Sequence, residues 1–447
     1  MKLISKFLQT KGKNELLTGS IITFFLRIAG MGAGYIFSLQ ITRNYGADAW
    51  GMFSLTFTVF SFGAILSTFG LDGAILRLVP ELVVKKQLIF LSPIYRKLAL
   101  LGSIISLATM MAIYLLSKQI AITLFDNKSL IDWIKYSALL VLPITLCNIN
   151  SQLLRGLKKI KEYVFLDMVA RFLFPAILVF VFQQLGMEIN LIFTYFLGML
   201  LVTFLSFFLL IYEFRKLDIR PTRDETYWNN YLKLTNLAYP LLFSSTLIFL
   251  KGWIDTIMLG HYRTEAEVGI YNIFLKVTII ATIPITSLNS IGMPKFGELF
   301  AKNDLVGLQK TLRFSASIIF LSTFTLALGL LLFHSILLGF FGKDFSGDKT
   351  AFYILLITQV VSAFGGSSGY ILQMTGHQNS YKNAVIGTLV ITILSNYYFI
   401  PLYGIVGAAI STLLTTIFYN FFLVQSIRKH LKVDSTFFSF IQSQFKR

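Results

Sequence analysis

Five basic side chains stand where hydrocarbon would be expected to surround them. Arg27, Arg171, Lys251 and Lys276 lie well inside long apolar runs, and Lys135 lies near the edge of one. A guanidinium or ammonium at mid-bilayer depth costs about 2.5–3.5 kcal/mol on insertion scales, so such groups persist where they face water, a partner or a charged ligand. Arginine suits phosphate, because its planar fork binds two oxygens at once and stays ionised. The chemistry on offer is the capture of an anion. Two acids share these runs. Asp255 follows Lys251 by four residues and Asp167 precedes Arg171 by four. That spacing puts each pair on one helix face and allows an ion pair. Asp255 reads either as the counter-ion that admits Lys251 or as a protonatable coupling group. Lys276 has no acid nearby in sequence. Uncharged polar residues also recur at mid-run, namely Asn148, Asn150, Gln152, Asn289, Gln359 and Asn396. They can hydrogen-bond a polar ligand or neighbouring helices.

The elements that must position these groups are twelve apolar stretches: 17–42, 50–71, 98–116, 133–153, 164–185, 191–212, 237–259, 268–291, 314–332, 352–374, 384–400 and 405–424. About 20 apolar residues cross a bilayer as one helix. Barrel strands would be half as long and would alternate. Only 13% of the residues are charged and mean hydropathy is +0.71, whereas a soluble domain carries about a quarter charged residues. The chain reads as an all-α integral membrane protein with a polar interior. Pro143, Pro175, Pro240 and Pro284 interrupt the spans and permit bending there.

The net charge of +18 does not point to nucleic acid, because the basic residues fall in every second loop. With the N-terminus in the cytoplasm, the inner segments hold 28 Lys and Arg and the outer loops 6. Positive charge stays inside, so both termini are expected in the cytoplasm, in a multi-pass inner (plasma) membrane protein. On that orientation Arg27 and Arg171 occupy the inner half of the bilayer, and Lys251, Asp255 and Lys276 the outer half. The two ends, with Leu3, Ile4, Phe7 and Leu8 at one and Phe437, Phe438, Ile441 and Phe445 at the other, read as amphipathic segments at the inner leaflet. No small-residue cleavage site precedes the first span, so no cleaved signal peptide is expected. Cys147 is the single cysteine and the four histidines are dispersed, so neither a disulfide nor a metal site is expected. There is no phosphate-cradling Gly-Lys-Ser/Thr loop, no Ser–His–Asp set and no paired carboxylates. The chain is therefore expected to be no enzyme and to need no cofactor.

Landmarks repeat between the halves. Tyr45 and Gly51 match Tyr262 and Gly269, Glu81-Leu82 matches Glu298-Leu299, and Arg155-Gly156 matches Thr375-Gly376, at offsets of 217 to 220 residues. Six spans per copy is an even number, so both copies share one orientation, as in parallel-repeat transporters. The expected division is a lobe at 1–212, a linker at 213–236 with Pro221, and a second lobe at 237–447 with an amphipathic tail.

The Tyr-Gly-Ala-Asp-Ala-Trp-Gly-Met-Phe segment at 45–53, the Leu-Leu-Arg-Gly-Leu-Lys-Lys segment at 153–159, and Met374-Thr375-Gly376-His377 followed by Asn383 resemble the bacterial polysaccharide flippases. These include the O-antigen and capsule-unit flippases of lipopolysaccharide and surface polysaccharide biosynthesis. They fall within the multidrug/oligosaccharidyl-lipid/polysaccharide exporter superfamily. The resemblance implies two six-helix lobes around a central cavity, and alternating access that moves a polyprenyl-diphosphate-linked oligosaccharide from the inner to the outer leaflet. Arg27, Arg171, Lys251 and Lys276 would then be substrate-binding and Asp255 the coupling or counter-ion residue. Partners would be the lipid-linked oligosaccharide, membrane lipid, a polymerase and glycosyltransferases, with the chain itself a monomer. An ion-coupled multidrug exporter of the same fold is the alternative. Cationic drugs call for acids and a diphosphate for bases, and the charges within the runs are mostly basic.

Overall fold

The computed structural model describes residues 2–187, 190–217, 219 and 231–439, with the side chains of 2–21, 231–237, 290 and 291 left aside. The side chains of Leu3, Ile4, Phe7 and Leu8, together with Ile441, Phe445 and half of the linker expected at 213–236, fall outside what is described. Among the described residues nine helices are long and apolar enough to cross a bilayer, and a bent pair at 44° adds a tenth. Two of the nine are far too long for one crossing. Ile22–Thr68 has 47 residues and Gln378–Leu431 has 54; at 1.5 Å per residue each is about twice the ~30 Å hydrocarbon thickness or more. Each breaks once, at Gly46 (φ 80°) and at Gly404 (φ 57°), so each supplies two spans and the total is twelve.

We number them α1 (22–45), α2 (47–68), α3 (Leu88–Leu115), α4 (Leu130–Ala138 with Val141–Gly156), α5 (Ile160–Gln184), α6 (Leu191–Lys216), α7 (Ala238–Tyr262), α8 (Glu265–Asn289), α9 (Leu305–Gly339), α10 (Thr350–Met374), α11 (378–403) and α12 (405–431). A further helix, Leu71–Val84, follows α2. The breaks are chemically pinned. At Gly46 the freed Ala47 N–H donates to Asp344 Oδ2 at 3.1 Å. Before Gly404 the Arg263 guanidinium donates to the Ile400 carbonyl at 3.1 Å and the Pro401 carbonyl at 2.9 Å. Helix ends leave such groups unpaired, and a bilayer supplies no water for them.

The chain divides into two compact units. The first comprises Met1–Asn44, Thr56–Thr123 and Asn127–Thr246; the second comprises Tyr45–Leu55, Leu124–Asp126 and Leu247–Arg447. Each has its own apolar core, around Ile75, Leu98, Ile149 and Leu166 in the first and around Phe296, Leu312, Leu372 and Ile427 in the second. Lipid is as apolar as leucine, so close packing and polar bonds between helices carry cohesion, the latter worth about 0.6–2 kcal/mol each. In the first unit Asn150 is such a bond. It accepts from Tyr95 Oη at 2.8 Å and donates to Ser206 Oγ at 2.8 Å. In the second, the segment after α12 is built in: Gln309 exchanges bonds with Asp434, and the Phe437 ring stacks on Phe320 at 4.2 Å.

The repeat is visible in the backbone. Left-handed residues recur as Lys86 and Asn303, Lys158 and Gly376, and Gly186 and Gly404, separated by 217 or 218 residues. Gly376 therefore answers to Lys158, two residues on from the Gly156 that the sequence suggests. The Glu81–Lys85 pair at 2.5 Å has its image in Glu298–Lys302 at 2.6 Å. In the second unit, a Cβ on Gly51 would lie 1.8 Å from the Glu265 carbonyl oxygen, and one on Gly269 would lie 2.2 Å from that of Ala47. Residues 47 and 265 are themselves 218 apart, so the two contacts are images of each other. Backbone cannot yield as a side chain can. Gly51→Ala and Gly269→Ala are each expected to lower stability by about 1–3 kcal/mol through overpacking. Gly329→Ala, where nothing lies within 4 Å, is expected to leave the unfolding midpoint in detergent unchanged or slightly higher.

Candidate functional site

In the first unit, the basic residues gather where α5 departs from regular helix. Residues Phe165–Ala170 form a π-helical turn, a widening that often marks functional sites. α1 packs directly on this turn. Its Gly30 lies so close that a Cβ there would sit 2.9 Å from the Met168 backbone. Arg27 is three residues before Gly30, on the same helix face, and its side chain is exposed. Arg171 follows the π turn. One of its terminal nitrogens binds Asp167 Oδ1 at 2.9 Å and also donates to Asn148 Oδ1 on α4. The pair that the i, i+4 spacing allows is thus made, and the Arg171 side chain keeps 21% exposure.

Two residues that the sequence did not mark as site candidates join them. Arg155, at the end of α4, lies 5.0 Å from the centroid of the Tyr163 ring at the start of α5. The charges within electrostatic reach of the Tyr163 hydroxyl are those of Asp167, Arg155, Arg171 and Arg27. Three guanidinium charges and the Asp167 carboxylate thus act on this one hydroxyl, and among the described residues Arg171 is the guanidinium paired with Asp167. Such a cluster presents a surplus of positive charge, as a divalent or more highly charged anion requires.

The second unit holds the other three candidates, and they do not form one cluster. Asp255 on α7 accepts from Asn396 Nδ2 of α11 at 2.6 Å, Thr412 Oγ1 of α12 at 2.9 Å and Tyr271 Oη of α8 at 3.3 Å. All three donors are neutral. The pairing with Lys251 that the sequence allows is absent among the described residues. The Lys251 ammonium instead lies 3.6 Å above the centre of the Tyr419 ring of α12. Three other helices supply the carboxylate with donors, so it has no need of the lysine one turn away. Lys276, half-buried, lies 5.0 Å from the Trp50 ring centroid. Lys135 is an edge residue paired with Asp132 at 3.3 Å. Of the uncharged candidates, Asn148 serves Arg171, Asn150 ties helices together and Asn396 serves Asp255. Both amide atoms of buried Asn289 lack a partner among the described residues.

Outside the spans, Lys302 and then Lys295 hold exposed Glu298 down to about 2. Burial, and then the charge of His430, hold His377 below the ordinary imidazole range. The two imidazoles lie 4.5 Å apart. Among the described residues no group of three or more His, Cys, Asp or Glu could hold a metal ion.

The sequence matches the family model described as "Polysaccharide biosynthesis protein" over residues 16–300. It is 22% identical over 402 residues to the "Probable low-salt glycan biosynthesis flippase Agl15" of Haloferax volcanii, covering 90% of this chain and 81% of that protein. It is 24% identical over 181 residues to the "Probable flippase AglR" of the same organism, covering 40% of this chain and 38% of the other. Two solved structures share the fold. The lipid II flippase MurJ in an inward closed conformation superposes with TM-score 0.73 at 16% identity, covering 92% of this chain and 87% of that one. An inward-facing multidrug resistance MATE family transporter of the MOP superfamily does so with TM-score 0.73 at 16% identity, covering 92% and 98%.

Proposed function

The chain belongs to the polysaccharide biosynthesis protein family, and from that premise we propose that it is a flippase. It carries a polyprenyl-diphosphate-linked oligosaccharide from the inner to the outer leaflet of the plasma membrane for surface polysaccharide synthesis, by alternating access, with both termini in the cytoplasm. The observation that carries this reading is the basic site of the first unit: Arg171 held by Asp167 and Asn148 after the π turn, Arg155 over the Tyr163 ring, and the charges of Arg27, Arg155 and Arg171 all acting on the Tyr163 hydroxyl. A diphosphate is multiply charged and oxygen-rich, and guanidiniums bind it through paired N–H donors. On the positive-inside orientation, Arg27 and Arg171 lie in the inner half of the bilayer, where the diphosphate arrives. The names of the curated relatives, which speak of glycan biosynthesis flippases, agree with this cargo.

Asp255 is the coupling group in this account. It is a carboxylate inside a span whose three donors are neutral, so it has free capacity for a proton or a cation. Such intramembrane acids are costly and commonly functional. The same acid is what a cationic drug would seek, and the MATE likeness keeps an ion-coupled exporter as the second reading. Three helices already direct donors at Asp255, which suits coupling better than drug capture. No step here requires a catalytic residue, and the chain works without a cofactor.

The test is made in cells. When the protein is depleted, lipid-linked oligosaccharide is expected to accumulate on the cytoplasmic leaflet while surface polysaccharide falls. An unchanged lipid-linked pool with altered resistance to cationic drugs would favour the exporter.

A further inference from the structure

Lys251 is a charge of the second unit that lacks an ionic partner among the described residues. It stands mid-way along α7, half-buried, where an ammonium is costly. Among the described residues it makes no ion pair and its N–H groups donate no hydrogen bond. It lies over the face of Tyr419 at 3.6 Å. That contact is worth about 0.5–2 kcal/mol and does not neutralise the charge. Three tyrosines from three helices converge there. Tyr381 of α11 and Tyr370 of α10 both lie within electrostatic reach of the Tyr419 hydroxyl of α12. Gly369 makes the convergence possible. A Cβ on it would lie 3.2 Å from Tyr381 Cε2 and 3.4 Å from Tyr419 Oη. All of these tyrosines are partly exposed.

An ammonium with unused donors beside aromatic faces and phenol hydroxyls has a chemical complement. Aromatic rings offer an apolar face with a polar tip, which fits the C–H face and hydroxyls of a pyranose ring. A single ammonium matches a single carboxylate, whereas a diphosphate is better served by the guanidinium forks of the first unit. We infer that Lys251, with Tyr370, Tyr381 and Tyr419, forms a saccharide subsite of the second unit that takes an acidic sugar, the ammonium pairing with a uronate carboxylate while the tyrosines hold the ring. This deepens the flippase reading and rests on it for the route by which the sugar arrives.

The full chain in lipid nanodiscs is titrated with trigalacturonate and with its methyl ester, which has the same ring shape and no charge. Wild type is expected to bind the acid at least ~10-fold more tightly than the ester, the scale of about 1.4 kcal/mol. Lys251→Gln should erase that preference and Lys251→Arg should keep much of it. Tyr381→Phe should weaken acid and ester alike. Inorganic diphosphate is the arm for the other anionic part of the cargo: its binding should survive Lys251→Gln and fall with Arg27→Ala. Equal binding of acid and ester by wild type overturns the inference without any variant. So does a preference that survives Lys251→Gln, or loss of diphosphate binding in that variant. A vesicle assay separates the two readings. An acid preference that depends on Lys251, in a protein that moves no lipid-linked oligosaccharide, would retain the subsite and sink the flippase.

Discussion

Alanine at Arg27 is expected to reduce delivery of surface polysaccharide by at least ~30-fold while the protein remains folded in the membrane. The factor corresponds to about 2 kcal/mol, the lower end of what is lost when one partner of a desolvated charge pair is truncated. Arg27 is the clean position for this test because it is exposed. Arg171 is not, since its removal would strand Asp167 and Asn148, which it binds. Breaking such a pair costs stability in its own right, about 3–5 kcal/mol where it is fully buried. Loss of export in an Arg171 variant would therefore confuse folding with binding. Arg27→Lys keeps the charge and loses the fork, so an intermediate export level is expected from it. Unchanged surface polysaccharide in Arg27→Ala would remove this residue from the mechanism. Quantifying polysaccharide beside the amount of protein in the membrane fraction reads both sides of the prediction.

Asparagine at Asp255 is expected to uncouple transport. The substitution is nearly isosteric, and its carbonyl can still accept from Thr412 or Tyr271. The negative charge that would take up a proton or a cation is gone. Ion-gradient-driven movement should fall by at least ~10-fold, about 1.4 kcal/mol, while slow exchange down the cargo's own gradient persists. Imposing proton and sodium gradients separately on reconstituted vesicles shows which ion the wild type uses. If the variant responds to both gradients as wild type does, Asp255 is a structural acid held by Asn396, Thr412 and Tyr271, and coupling lies elsewhere.

The spans were legible because their signal is local. Twenty apolar residues declare a crossing, and the chain breaks at Gly46 and Gly404, between the stretches that the sequence separates. The i, i+4 spacing likewise indicated that Asp167 could reach Arg171. The same spacing misled at Lys251 and Asp255. Spacing says which face a residue occupies and says nothing of what other helices bring to that face. Asn396 and Thr412 stand 141 and 157 residues from Asp255 along the chain, and no short-range pattern links them. Arg155, legible as a repeat landmark, and Tyr163 do not read as site residues for a related reason. Each sits at a span end, where a basic or aromatic residue is ordinary at a membrane interface. Only the meeting of α4 and α5 brings Arg155 over the Tyr163 ring. Asn150 reads as a helix tie more readily than as a sugar ligand, and the structure commits it to Tyr95 and Ser206. The gathering of arginines in the first unit is thus a tertiary fact built from individually readable charges.

The most direct measurement places a fluorescent polyprenyl-diphosphate oligosaccharide in vesicles containing the purified protein and follows, with a membrane-impermeant quencher, how fast the label changes leaflet. The wild-type protein is expected to make the cargo cross much faster than in protein-free vesicles, and Arg27→Ala to return the rate to that background. Crossing no faster than background with wild type, or equally fast with Arg27→Ala, would contradict the claim that these guanidiniums receive the diphosphate of a flipped glycolipid.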